Sequence, residues 1–113
     1  MRVLVAFEDD YRTYREMIAA SIEIQRPQVE VVSTEINKLE MEAKHFKPHL
    51  FICSQPRIDK PNGGWGWIQL SPHPQQCTRI WIGERYQEAS NPGIATLISV
   101  VDEVGDLVVS QGS

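Results

Sequence analysis

The sequence predicts an α/β domain with three layers, in which helices cover both faces of a mostly parallel sheet. Residues 2–7 and 49–54 are almost continuously apolar, which is typical of central parallel strands buried on both faces. Segments with helical spacing separate the predicted strands. Strands that alternate with helices of this length favour right-handed βαβ crossovers.

The first half of the chain gives the clearer pattern of elements. A helix follows the first strand, is capped by Asp9 or Asp10, and ends before Pro27. Residues 29–33 form the second strand, and a short helix follows, with a capping-box pattern at Asn37 and Glu40. Pro48 ends that helix and precedes the third strand. The first helix takes its apolar face from Tyr14, Met17, Ile18 and Ile22.

The second half contains a fourth strand, residues 79–83, and a final helix that starts at Asn91-Pro92. No further strand is expected after Gly83, so we predict strand order 2-1-3-4 with the sheet truncated before a fifth strand. Residues 55–78 are rich in proline and glycine and replace the third helix with an irregular segment. Within it, residues 67–70 fit a short extra strand, in a hairpin with the next one. We predict that the whole chain, residues 1–113, forms one domain.

Composition excludes several classes of protein. The chain has 113 residues and a net charge of −4 without a basic cluster, which argues against a nucleic-acid partner. No apolar run is long enough to span a membrane, and the charged residues after position 7 do not fit a signal peptide. We therefore expect a cytoplasmic protein with no membrane partner.

Two stretches resemble a known family. Residues 2–10, Arg-Val-Leu-Val-Ala-Phe-Glu-Asp-Asp, resemble the opening of a response-regulator receiver domain, and residues 48–54, Pro-His-Leu-Phe-Ile-Cys-Ser, resemble its third strand. The resemblance implies a flavodoxin-like fold with an acidic pair that holds magnesium. It places the phosphoacceptor position, normally an aspartate, at Ser54.

The departures from the receiver pattern indicate a degenerate receiver. An acyl phosphate needs a carboxylate, and Ser54 would give only a stable ester. A kinase could phosphorylate Ser54, or its hydroxyl could bond to local backbone. The family's hydroxyl on the fourth strand falls on Gly83, and its lysine has no counterpart.

An acidic cluster remains at the end of the first strand. The equivalent of the receiver pair is either Glu8-Asp9 or Asp9-Asp10, depending on a one-residue shift. These three carboxylates predict at most a weak Mg²⁺ site; alternatively, the two aspartates cap the following helix. We expect no other cofactor.

Trp65 and Trp67 lie in the irregular segment. If exposed, they would anchor a protein interface. If buried, they would cover the sheet face that the missing helix leaves bare, which dimerisation could also cover.

These features predict a non-enzymatic, receiver-like signalling module that works through protein contacts, as a homodimer. The alternative is a flavodoxin-like protein that binds a small ligand or a divalent metal at the carboxyl edge of its sheet. We expect that edge to be acidic, near Glu8, Asp9, Ser54 and Glu84. No catalytic pair supports an enzyme.

Overall fold

A computed structural model describes residues 1–55, 65–71, 77–90 and 92–112 of the chain. Six strands and three α-helices make up this part, with two short 3₁₀ turns, Asp9–Tyr11 and Ile36–Lys38. In chain order the elements are β1 (Arg2–Phe7), α1 (Arg12–Gln25), β2 (Glu30–Glu35), α2 (Leu39–Phe46), β3 (Leu50–Cys53), β4 (Gly66–Gln69), β5 (Cys77–Ile82), β6 (Arg85–Ser90) and α3 (Ile94–Gly112).

All six strands form one mixed sheet with the order β2-β1-β3-β4-β5-β6. The first four strands in that order pair in parallel, whereas β5 is antiparallel to β4 and β6 is antiparallel to β5. The α/β class therefore holds, but the predicted mostly parallel, flavodoxin-like sheet of order 2-1-3-4 is wrong. The strand predicted fourth is β5, and it runs in the opposite direction.

Connection length explains the reversal. A parallel crossover needs at least about 10–12 residues, usually including a helix. Only residues 70–76 join β4 to β5, so the chain turns back and the two strands form a hairpin. The short strand considered for residues 67–70 is thus present as β4, paired with the strand that follows it.

The predicted truncation before a fifth strand is also wrong, because β6 follows β5 after a two-residue turn. Gly83 has a φ of +60° at the first turn position, the backbone geometry of a type II′ hairpin turn. β6 has the sequence Arg-Tyr-Gln-Glu-Ala-Ser and is exposed along most of its length. It lies at the edge of the sheet and buries no alternate apolar residues, so hydrophobic periodicity does not reveal it.

The sheet separates two apolar cores. One face packs against α1 and α3 and contains Phe7, Ile18, Ile52, Ile80 and Val104, with several other buried side chains. The other face packs against α2 and contains Leu4, Leu39, Phe51 and Trp67. The layers are therefore helix, sheet and helix, with the single short α2 on one side.

Gly66 lets β4 approach α3 closely. A Cβ at this position would lie 2.8 Å from Cγ2 of Val104 and 2.9 Å from Cδ1 of Leu50. Any side chain here would have to displace these methyl groups, so the glycine allows β4 and α3 to pack this closely.

No helix in the described ranges is both long and apolar enough to cross a membrane. Two of the predictions fall on residues outside those ranges. They are the helix cap at Asn91 and most of the irregular segment that was predicted to replace the third helix.

Candidate functional site

Glu8 and Ser54 meet at the carboxyl edge of the parallel strands. Each follows the end of a strand, and β1 and β3 are neighbours in the sheet. The Ser54 hydroxyl donates a hydrogen bond of 2.9 Å to Oε2 of Glu8. The other oxygen, Oε1, is buried and has no hydrogen-bond partner among the residues that the structure describes. The predicted phosphoacceptor position, Ser54, therefore carries a hydroxyl that is hydrogen-bonded to a carboxylate.

Asp9 and Asp10 lie apart from this pair. Both are exposed in the 3₁₀ turn that precedes α1. Within the ranges that the structure describes, no three His, Cys, Asp or Glu side chains are arranged to hold a metal ion. Glu8, Asp9 and Asp10 therefore do not converge on a common point. No side-chain hydrogen bond caps the turn either.

Arg15 is a buried cation at the same edge, and sequence periodicity missed it. Its side chain is 7% exposed, and Nη1 donates a 3.0 Å hydrogen bond to the carbonyl of Phe7, the last residue of β1. Nε is buried, and none of the described residues is its hydrogen-bond partner. The helical pattern had instead placed Met17 on the buried face, but Met17 is 52% exposed. Arg15 ties α1 to the end of the strand before it.

The end of β3 is packed too tightly for a reactive thiol. Cys53 is fully buried, and burial raises its pKa to about 12. The carbonyl of Gln55 accepts hydrogen bonds from the Cys53 thiol at 3.6 Å and from Nε1 of Trp67 at 2.9 Å. Because only a thiolate is a strong nucleophile, Cys53 is a structural residue.

The two tryptophans of the irregular segment occupy different environments. Trp67 is 2% exposed and stacks on Phe51, with ring centroids 4.6 Å apart. Trp65 is only partly buried. Its backbone NH donates to His49, and its carbonyl accepts from the NH of Gly83. Trp67 therefore covers the sheet, whereas Trp65 reaches the surface.

Trp65 lines an open cleft of about 950 Å³ at the opposite end of the sheet from Glu8 and Ser54. The cleft lies between the β5–β6 turn and the C-terminal half of α3. Its apolar part consists of Trp65, Ile82 and Leu107. The polar lining residues are Glu84, Arg85, Glu103, Asp106 and Ser110.

Glu84 was expected at the acidic carboxyl edge, and that prediction is wrong. Because β5 runs antiparallel to β4, its end lies at the amino edge of the parallel strands, where Ile82 pairs with Gly66. Glu84 therefore joins the cleft rather than the Glu8–Ser54 pair. The two ends of the sheet each carry carboxylates, but they are separate sites.

Charge on the cleft rim is negative overall. Glu84, Glu103 and Asp106 are exposed carboxylates, and Arg85 is the one cation among the lining residues. Arg85 forms an ion pair with Glu103, and both side chains are about half exposed. Two of the three carboxylates, Glu84 and Asp106, are left without a basic partner among the described ion pairs.

No protein-family model, curated protein or solved structure matches this chain significantly. The receiver-like character of residues 2–10 and 48–54 is therefore still a prediction from the sequence.

Proposed function

We propose that this protein is a non-enzymatic regulatory module of signal transduction that acts in the cytoplasm through protein contacts. The observation that carries the proposal is the cleft beside Trp65. Protein interfaces commonly have an aromatic residue at their centre and polar residues around it, and this exposed cleft has both. Of the two tryptophans considered as interface anchors, Trp67 is buried, so the proposal rests on Trp65.

The side chain at position 54 supports the absence of phosphotransfer through an acyl phosphate. Ser54 lacks the carboxylate that this chemistry requires. The neighbouring carboxylate, that of Glu8, accepts a hydrogen bond from the Ser54 hydroxyl at 2.9 Å. Its side chain lies at the end of β1 rather than at the predicted phosphoacceptor position on β3.

Beryllofluoride with magnesium tests this part of the proposal. Beryllofluoride mimics an aspartyl phosphate, so we expect no saturable change in the amide NMR spectrum at Ser54 or Asp9. Specific, saturable shifts at both positions would show an active phosphoacceptor site and contradict the proposal. Acetyl phosphate with magnesium provides an independent second reagent.

Site-specific photo-crosslinking tests the protein contact. A photoreactive amino acid replaces Glu84 on the cleft rim, or Glu40 on α2 as the control, and both variants are expressed in the native host. We expect a discrete protein adduct from position 84 only. An adduct between two copies of this chain would identify the proposed homodimer. Absence of any adduct at position 84, or equal adducts at both positions, would contradict the proposal.

A second candidate function is the binding of a small cationic ligand or a divalent metal at the carboxyl edge. Oε1 of Glu8 favours it, because this buried acceptor has no partner within the described part of the chain. A ligand that binds only the folded state raises the melting temperature. A thermal-shift screen with Mg²⁺, Mn²⁺, Ca²⁺ and small organic cations should therefore show a shift that Glu8→Gln abolishes. The absence of a shift with any of them would eliminate this candidate.

A further inference from the structure

The cleft beside Trp65 combines an apolar floor with an acidic rim, and these two properties together restrict its occupant. We propose that it binds a linear segment of a partner protein that carries arginine or lysine next to an apolar side chain. The proposal rests on the protein-contact function above and adds the chemistry of the partner.

Charge complementarity is the first argument. The rim contains the carboxylates of Glu84, Glu103 and Asp106 but only the guanidinium of Arg85. An anionic or neutral segment would leave this negative charge uncompensated. A basic segment would meet opposite charges across the contact, which favours both encounter and register.

The end of α3 adds to the negative potential. Ser110, in the last turn of the helix, lines the cleft. A helix C-terminus carries a partial negative charge and is stabilised by nearby cations. The α3 sequence from Ile94 to Gly112 contains no lysine, arginine or histidine, so the helix supplies no cation of its own here.

The floor of the cleft accounts for the apolar part of the occupant. Ile82 is 6% exposed. Trp65 and Leu107 are partly buried and pack against the core between the sheet and helices α1 and α3. An aliphatic side chain can cover this surface, and an arginine can stack on the indole of Trp65. A small polyamine would satisfy the carboxylates but would leave the apolar floor exposed, so we assign the site to a peptide segment.

Because of the Arg85–Glu103 ion pair, the proposal predicts opposite changes in affinity for two kinds of substitution. Arg85 occupies the rim as an internal cation and competes with an incoming basic side chain for Glu103. Removing Arg85 should therefore strengthen binding of a basic segment, whereas removing a free carboxylate should weaken it. A purely structural role for these exposed residues would not produce opposite effects.

Isothermal titration calorimetry on the whole chain tests the proposal. The probe is a short capped peptide with an arginine on each side of a leucine. Asp106→Asn and Glu84→Gln should each weaken binding by about two- to fivefold, the range of an exposed ion pair. Arg85→Gln should tighten it by a similar factor. Glu40→Gln, on the other face, is the matched control and should leave the Kd unchanged.

Probe variants and salt complete the test. The same peptide with glutamate in place of arginine should bind far more weakly, and added salt should reduce the affinity for the arginine peptide. The proposal is overturned by an absence of binding, by equal binding of the two peptides, by spermidine binding as tightly as the peptide, or by weaker peptide binding in the Arg85→Gln variant.

A crosslink at position 84 without peptide binding would retain the protein-contact function and reject this inference. Failure of both experiments would reject both.

Discussion

At the residue scale, the hydrogen bond from Ser54 to Glu8 joins the ends of β1 and β3. Ser54→Ala removes the donor, so that Oε2 of the partly buried Glu8 carboxylate loses its one described hydrogen bond. Leaving an acceptor out of water without a partner costs about 1–3 kcal/mol. We therefore expect Ser54→Ala to lower the free energy of unfolding by about 1–2 kcal/mol, measured by urea denaturation.

Ser33, which is exposed on β2, offers a matched control for that substitution. Ser33→Ala changes the same side chain without touching a buried partner, and we expect an effect within about 0.5 kcal/mol. Equal losses for the two variants would show that the Glu8–Ser54 bond contributes nothing specific to stability.

His49 gives the fold a pH dependence. Its Nδ1 accepts a 3.0 Å hydrogen bond from the backbone NH of Arg2. Burial lowers the pKa of His49 from its ordinary value of 6.5, and the charges of Arg2 and the N-terminus lower it further. The unfolded chain therefore binds a proton more readily than the folded one, so stability is fully present above pH 6.5 and is lost as the pH falls through the folded pKa.

Urea denaturation at a series of pH values measures this effect. We expect the free energy of unfolding to fall between pH 7 and pH 5, and His49→Gln to remove part of that fall. His45→Gln, at an exposed position on α2, is the control and should leave the slope unchanged. An unchanged slope in His49→Gln would contradict the role assigned to this histidine.

At the scale of elements, Gly66 sets the contact between β4 and α3. A methyl group here would overlap with Val104 and Leu50, and overpacking of a core costs about 1–3 kcal/mol. We expect Gly66→Ala to destabilise the protein by that amount in thermal or urea unfolding. Gly93→Ala is the control, because a Cβ at Gly93 meets nothing within 4 Å. Similar losses for both variants would contradict the close packing of the two elements.

How far the elements could be predicted depends on burial. β1 and β3 are buried on both faces and show as continuous apolar runs, so the sequence located both. β6 is a polar edge strand with no periodic signal. The direction of β5 could have been inferred, because residues 70–76 are too few for a crossover. The hairpin considered for residues 67–70 and the next strand agrees with this direction, whereas the parallel sheet implied by the receiver resemblance does not.

Of the candidate sites, only the Glu8–Ser54 pair could be predicted, and it follows from the positions of β1 and β3. Glu8 and Ser54 follow the ends of adjacent parallel strands, so the sequence predicts both at the carboxyl edge. Arg15 was missed because a charged residue is not expected on the buried face of a helix. The cleft beside Trp65 could not be inferred, because it depends on the reversed β5 and on where the end of α3 packs.

At the scale of the whole molecule, the two ends of the sheet have different properties. The carboxyl edge has the Glu8–Ser54 pair, the buried Arg15 and the inert thiol of Cys53. The other edge has an open cleft of about 950 Å³ with an apolar floor and a negative rim. The proposed binding surface therefore lies at the opposite end of the sheet from the edge where a receiver would carry out its chemistry.

Crosslinking from both edges in one experiment tests this central claim most directly. A photoreactive amino acid at Glu84 reports on the cleft, and the same group at the exposed Asp9 reports on the carboxyl edge. We predict a protein adduct at position 84, its loss when Asp106→Asn is added and the salt concentration is raised, and no adduct at position 9. An adduct at position 9 alone would place the functional surface at the carboxyl edge and contradict the account.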